Sequence, residues 1–404
     1  TLNIGRSQGI KVSLRLLCDL FHKLGDGSLS QDLVQGKDIY GGVKAMKRIY
    51  NFGAGPAILP VPVLEEASKG VLEIADSGMS ILEVSHRGKV YEAIHQEARA
   101  KCLAVMGLSA DEYTVLFLGG GASQQFAMVP MNFHRAGVTA DYVDGGVWGD
   151  KAIKEAKGLG TVNVAASSAA SKHSVLPKDF KWTPGAAYAH LTTNNTIEGT
   201  QMRAVPDAPS PIVLDASSDF LSHRMAWGKA SLIYAGAQKN AGPAGVTIVI
   251  VKKSFLATAK TDIPAIFQYG VHAKADSLYN TPPAFPIYVF GLVLKWIEAQ
   301  GGVAAVEKTN ERKAKLIYDA IDANPDVYDA AVTNNADRSW MNITWRVRGD
   351  AAREEAFLKG AKERHMEGIK GHRNVGGFRA SVYNAFPEEG CAALAQYLKD
   401  FAKQ

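Results

Sequence analysis

From Asn51 onward, short runs of β-branched and apolar residues alternate with longer stretches whose apolar positions recur every three or four residues. Runs that read as buried strands are Thr114–Leu118, Ala140–Val143, Thr161–Val164, Tyr188–Leu191, Ile212–Leu214, Ser231–Tyr234 and Val246–Val251. Helical patterns lie between them, for example Trp148–Lys157, which leaves Lys151, Lys154 and Glu155 exposed. Strands in near-continuous apolar runs, separated by amphipathic helices, predict an α/β fold with a mostly parallel sheet covered on both faces. The order changes after Gly301-Gly302. A long helical pattern runs through Ile321, followed by the alternating run Trp340–Val347 and helical stretches near Ala351–Met366 and Glu388–Phe401. The pattern therefore predicts a large domain over residues 46–300 and a smaller C-terminal α+β domain over 301–404.

The first 45 residues have a different character. One amphipathic helix over Ile10–Leu24 is expected, with Leu17, Leu20, Phe21 and Leu24 on one face. Asp19, Asp26, Asp32 and Asp38 argue against a transit peptide, which is poor in acids. Residues 1–45 are read as an extension of unknown role ahead of Met46. No apolar run approaches the ~20 residues of a membrane span.

Composition changes the picture only by exclusion. A formal charge of +5, from 45 basic and 40 acidic residues spread along the chain, argues against nucleic-acid or membrane partners. Cys18, Cys102 and Cys391 lie far apart with no CxxC pair, which suggests a reducing compartment and no thiolate metal cluster.

Four features of the large domain could carry chemistry. Gly119-Gly120-Gly121-Ala122-Ser123 follows a strand and opens a helix, where backbone N–H groups and the helix dipole suit a phosphate. It matches neither GxGxxG nor GxxxxGK[ST], so a dinucleotide or P-loop site is not expected; a purely structural turn fits it as well. Asp215 ends the apolar run Pro211–Leu214, at a strand end where ligands bind in open α/β sheets. It could hold a proton on a pyridine nitrogen, or simply cap the next turn. Lys239 follows another apolar strand, among small residues, in a setting that lowers a lysine pKa and suits Schiff-base chemistry. Trp148 heads a helix after the Asp141–Gly146 turn and offers a flat face to an aromatic ring, although core packing is its commoner fate. Separately, His86-Arg87, His372-Arg373 and Arg379 lie beside glycines, and arginine forks match carboxylate and phosphate geometry.

Taken together, five segments resemble the phosphoserine aminotransferases, within the class V aminotransferases of aspartate-aminotransferase-like fold (pyridoxal-phosphate fold type I). They are Asn51–Pro60, Glu83–Gly88, Gly236–Asn240, Tyr279–Pro283 and Gly371–Arg379, in family order from Asn51 to near the C-terminus. The resemblance implies pyridoxal 5′-phosphate as cofactor and glutamate and 3-phosphohydroxypyruvate as substrates, and leaves open the related phosphorylated 4-hydroxythreonine. It also implies a homodimer; the scattered cysteines fit a cytoplasmic location, and no metal is expected. It implies that Lys239 carries the cofactor as a Schiff base and moves the Cα proton, that Asp215 meets the pyridine nitrogen and that Trp148 stacks on the ring. Ala122, Ser123 and Gln238 fall where the family grips the cofactor phosphate, Thr196 where a threonine meets the ring hydroxyl, and Asn280 and Thr281 where the neighbouring subunit reaches that phosphate. Arg379 falls at the clamp for the substrate α-carboxylate. His86, Arg87, His372 and Arg373 fall where the distal phosphate or carboxylate is held, the last two across the dimer interface. Ala54 stands where some relatives have serine, and Ala122-Ser123 where some have an arginine, so those two contacts are not carried over.

Within the fold, a cysteine desulfurase would need a mobile cysteine, and Cys391 lies in a helical pattern. Another class V transaminase would not need His372-Arg373. A non-catalytic phosphate-binding protein would not need Lys239 together with Asp215.

Overall fold

The computed structural model describes residues 48–373 and 375–404. The helix expected over 10–24, Cys18 and the 1–45 extension lie outside the described residues, as does Asn374. The chain from Ile49 to Gln404 forms one compact unit. After a short strand β1 (Tyr50–Asn51) come helices α1 (Val61–Leu72) and α2 (Lys89–Met106). Then follow β2 (Tyr113–Leu118), α3 (Gly121–Phe133), β3 (Ala140–Asp144), α4 (Val147–Lys157), β4 (Val162–Ser167), β5 (Ala189–Thr192) and β6 (Ile212–Asp215). Strands β7 (Ala230–Gly236) and β8 (Thr247–Lys252) close the large sheet, followed by short helices α5 (Lys253–Leu256) and α6 (Tyr269–Lys274). The remainder is α7 (Ala284–Ala299), α8 (Val303–Asp322), β9 (Tyr328–Ala330), β10 (Asn342–Val347), α9 (Ala351–Glu363), β11 (Met366–Glu367), β12 (Phe378–Ser381) and α10 (Glu388–Phe401).

The large sheet has the order β2-β8-β7-β6-β5-β3-β4, with β8 alone running against its neighbours. This is the mostly parallel sheet the strand pattern predicts. Period-two alternation along each strand decides which layer a side chain enters. Val115 and Phe117 pack with Ile233, Ile248 and Ile250 under α2 and α7, whereas Leu116 joins Leu232, Val249 and Val251 under α3 and α4. Both faces are thereby buried, which is why these strands read as unbroken apolar runs. Helix α7 is apolar nearly all round because it lies between α1, α2 and the sheet. Among the described residues no single helix is long and apolar enough to cross a membrane.

A second core forms around the antiparallel sheet β12-β10-β9, packed by α8, α9 and α10. Phe52 belongs to this core, and β1 pairs in parallel with β11, so the start of the described chain is fastened beneath the C-terminal sheet. Sequence periodicity could not show that pairing, because each strand is two residues long.

Lys313 on α8 fixes the turn after β12. Its side chain is fully buried and the three N–H groups of Nζ are shared among the carbonyls of Val382 (3.0 Å), Tyr383 (2.7 Å), Asn384 (3.4 Å) and Phe386 (3.2 Å). Replacing Lys313 with Met leaves those acceptors without a donor, and is expected to cost about 2–4 kcal/mol. Urea unfolding would show it as a lowered midpoint at unchanged slope.

Candidate active site

Five strand ends of the large sheet point the same way, and the loops that leave them converge. Strand β2 leads to Ser123, β3 to Trp148, β5 to Thr196, β6 ends on Asp215 and β7 leads to Lys239. Such convergence at the carboxyl ends of parallel strands is where open α/β sheets bind ligands. Here it encloses a cavity of about 140 Å³ lined by Gly121, Ala122, Ser123, Trp148, Thr192, Asn194, Thr196, Asp215, Ser217, Ser218, Gln238 and Lys239. Lys239, Asp215, Trp148, Thr196, Gln238, Ala122 and Ser123, which the motifs single out from distant stretches of chain, therefore share one cavity.

Lys239 Nζ donates to Thr196 Oγ1 at 2.7 Å and stands 5.8 Å from the centre of the Trp148 ring. Burial pulls its pKa down to about 8, opposed by Asp215 and Asp219 and assisted by Arg379. A lysine so placed has a usable neutral fraction near pH 8, which a nucleophile and proton carrier requires. Asp215 is buried, and that burial raises its pKa against the pull of Ser217 and Lys239. The Ser217 backbone N–H donates to Asp215 Oδ1 at 3.0 Å and holds the carboxyl at the strand end.

The glycine turn has a geometric reason. Gly120 sits at φ +77°, and a Cβ there would press into the base of the Gln124 side chain, so glycine lets β2 turn sharply into α3. The first N–H groups of α3 have no carbonyl within the helix to bond, which leaves an anion site at Gly121–Ser123. At the other wall, Trp148 Nε1 and Thr192 Oγ1 are buried without a partner.

These groups fit pyridoxal 5′-phosphate. The site offers a flat indole for its ring, a carboxyl for its pyridine nitrogen, helix N–H groups and Ser123 for its phosphate, and an amine of lowered pKa for its aldehyde.

Arg379 on β12 adjoins this cavity. Its Nη1 donates to the Thr196 carbonyl at 3.2 Å, and its Nε is buried without a partner. With His372 it lines a narrow cleft that also takes in Ile197, Arg346 and Gly376. Burial first, then Arg379, Arg373 and Lys151, push the His372 pKa down, the signature of a cluster with excess positive charge. Arg373 is exposed on the same turn.

Other candidates lie apart within the chain. His86 and Arg87 sit on the turn before α2, and Asn280 and Thr281 are exposed on the loop before α7; none of the four lines the Lys239 cavity. Asn280 instead borders a separate hollow with Gly119, Gln124 and Ile266. A larger hollow of about 470 Å³ lies between α2, β2 and α6. Its Arg99 is already tied to Asp276 at 2.6 Å and to Thr114 Oγ1 at 3.1 Å, and it holds none of the residues above. Cys391 is buried within α10, where burial pushes its thiol up to about 12, unlike a mobile nucleophile.

Thr192, Asn194, Ser217 and Ser218 were not anticipated. Asn194 Nδ2 donates to Ser218 Oγ (2.8 Å) and Asn342 Oδ1 (2.7 Å), and so joins the cavity floor to the C-terminal sheet. The one available signal was the run of small polar residues after Asp215.

Comparison with known proteins agrees with this geometry. Residues 49–394 match the family model Aminotransferase class-V. The chain is 50% identical over 360 residues to the phosphoserine aminotransferase of Niallia circulans, covering 88% of this chain and 99% of that protein. It is 46% identical over 360 residues to that of Bacillus subtilis strain 168, covering 89% and 99%. Among solved structures, the phosphoserine aminotransferase from Bacillus circulans subsp. alkalophilus superposes with TM-score 0.86 at 49% identity, covering 89% and 99%. The pyridoxal-phosphate-bound enzyme from Trichomonas vaginalis gives 0.83 at 38%, covering 87% and 100%. A lysine, an aspartate and a tryptophan gathered at the carboxyl edge of a mostly parallel sheet, in a chain matched from residue 49 to 394, place this protein in the class V aminotransferases.

Proposed function

We propose that this enzyme interconverts 3-phosphohydroxypyruvate and L-glutamate with O-phospho-L-serine and 2-oxoglutarate. The observation that carries the reading is the Lys239–Asp215–Trp148 cavity beside a cationic cleft, in a chain half identical to named phosphoserine aminotransferases. Pyridoxal 5′-phosphate, when bound, supplies the electron sink that lets an amino acid release its α-proton. In this reading Lys239 Nζ takes the proton from the substrate Cα, with Thr196 Oγ1 holding the amine in place at 2.7 Å. Asp215 keeps a proton on the ring nitrogen, Trp148 covers one ring face and excludes water, and Ala122, Ser123 and Gln238 hold the cofactor phosphate.

Arg379 grips the α-carboxylate common to both amino acids. His372, Arg373, His86 and Arg87 meet the distal group, which is a phosphate in one substrate and a carboxylate in the other; charge-assisted bonds from a cationic cluster accept either. The working unit is a homodimer. Its support is the position of Asn280 and Thr281, exposed and outside their own chain's cavity, where a second subunit would need them. Arg87 is likewise exposed and outside that cavity, and His86 lies outside it half-buried. The division into a cofactor domain over 46–300 and a smaller domain over 301–404 is supported by the separate core around β12-β10-β9, although Phe52 packs in that core and Val306 in the core of the large sheet. A cytoplasmic location rests on the free, buried Cys102 and Cys391.

The test is formation of glutamate from phosphoserine and 2-oxoglutarate. It should require pyridoxal phosphate and should fall sharply when serine or alanine replaces phosphoserine. Equal rates with alanine would move the substrate elsewhere in the family.

A further inference from the structure

We propose that Asp219 is a positioning residue for transamination: a second buried carboxylate that holds the strand end bearing Asp215 through Thr193. The proposal rests on the reading that Asp215 meets the cofactor's ring nitrogen.

Asp219 lies four residues beyond Asp215 and is fully shielded from solvent. Both of its oxygens accept hydrogen bonds, Oδ1 from Thr193 Oγ1 at 2.5 Å and Oδ2 from Gln201 Nε2 at 3.3 Å. An amide nitrogen can only donate, so this arrangement suits a carboxylate with an acceptor at each oxygen. Thr193 is the link to the site. Its backbone N–H donates to the Asp215 carbonyl at 2.9 Å, and its hydroxyl lies 3.2 Å from the same oxygen. Asp219 thus grips the residue that clasps the peptide from which Asp215 projects. From the other side, Ser222 Oγ donates to the Asp219 carbonyl at 2.7 Å.

The charges around it are few and each can be named. Arg203 faces Asp219 as a cation, stacked 3.9 Å over Trp340 and donating to the Arg338 carbonyl at 2.6 Å. His223, 3.4 Å from Gln201 Nε2, is kept neutral because burial, helped by Arg203, lowers its pKa to about 4 against Glu307. Asp215 faces Asp219 as a like charge. Burial pushes the Asp219 carboxyl up to about 7, against the bonds from Thr193 and Gln201 and the charge of Arg203. Its negative charge also reaches Lys239 and raises that amine's proton affinity, opposite in sign to Arg379. A buried anion at this place favours every proton held nearby, including one shared between Asp215 and a ring nitrogen.

The test compares holoenzyme of the wild type with Asp219→Asn and Thr193→Val. Asn keeps the size of the side chain and can still accept from Thr193, but carries no charge. Three quantities are measured: the pH midpoint of the bound cofactor's visible absorbance, the dissociation constant for pyridoxal phosphate, and the melting temperature of the cofactor-free protein. For Asp219→Asn the midpoint is expected to fall by about half to one pH unit. Cofactor binding is expected to weaken about tenfold, with kcat falling more than the KM for phosphoserine changes. Thr193→Val removes a bond that favours the ionised carboxyl, so it should weaken cofactor binding and move the midpoint in the same direction as Asp219→Asn, by less.

An unchanged midpoint and unchanged binding in Asp219→Asn, with or without a lower melting temperature, would overturn the proposal and leave Asp219 a packing residue. Should Asp219→Asn not fold, Thr193→Val decides alone, and full cofactor retention in that variant overturns the proposal. An Asp215→Asn enzyme with wild-type midpoint and retention would instead overturn the underlying reading of Asp215, an outcome distinct from both.

Discussion

Replacing Lys239 with Ala is expected to lower the phosphoserine–2-oxoglutarate turnover by at least about four orders of magnitude, since in the proposed mechanism one residue serves as both amine nucleophile and proton carrier. Its Nζ is the amine that lines the cavity, and its proton affinity is set there by burial, Asp215, Arg379 and Asp219. The fold should survive. Lys239 makes one side-chain hydrogen bond, to Thr196, and a buried amine is costly to desolvate, so its removal does not open the core. Circular dichroism and the melting temperature should therefore stay near wild type while turnover disappears. Arginine at this position keeps a cation but cannot give up its proton, and should be as inactive as alanine.

Replacing Arg379 with Ala carries the second largest expected effect. The residue reaches the cavity wall through the Thr196 carbonyl and leaves Nε without a partner, which is the geometry of a fork with one prong open to a carboxylate. Loss of a buried charge pair of this kind costs about 2–5 kcal/mol, or about 30- to 4000-fold in kcat/KM. The loss should be shared by glutamate and phosphoserine, because both present an α-carboxylate. Arg379→Lys keeps the charge without the planar fork and should recover only part of the activity. By contrast, substitution at His372 should discriminate between the two amino acids, whose distal groups differ. Steady-state kinetics with each donor would separate the two roles.

The large sheet was legible because both of its faces are buried. Strands such as Ile212–Asp215 and Thr247–Lys252 have no polar face to obscure them, so each stood out as an apolar run. The helix over Glu388–Phe401 was legible for a different reason, an apolar stripe facing the second core. The β1–β11 pairing was not, since two-residue strands have no period and their register depends on chain that lies three hundred residues away. Within the site, Lys239, Asp215 and Trp148 were legible because their residue types are chemically unusual at strand ends. Thr193 and Asp219 were not. Their role depends on which carbonyl and carboxylate face each other across two loops, and threonine and aspartate in a turn are ordinary residues. Asn194 escaped notice for the same reason, although it links the cavity floor to the C-terminal sheet.

The division between near and remote candidates has a physical logic. The cofactor-facing groups stand on adjacent strand ends of one rigid sheet, where spacing between strands fixes their separations. The cations proposed for the distal anion, His86, Arg87, His372 and Arg373, stand on turns instead, where side chains are freer to adjust to a bound anion.

The most direct measurement is a half-reaction. Holoenzyme mixed with O-phospho-L-serine, with no keto acid present, should release about one equivalent of 3-phosphohydroxypyruvate per subunit and lose the visible absorbance of its bound cofactor. Release should then stop until 2-oxoglutarate is added, which restores the absorbance and yields glutamate. An enzyme that leaves phosphoserine untouched while its absorbance responds to alanine or serine would contradict the assignment.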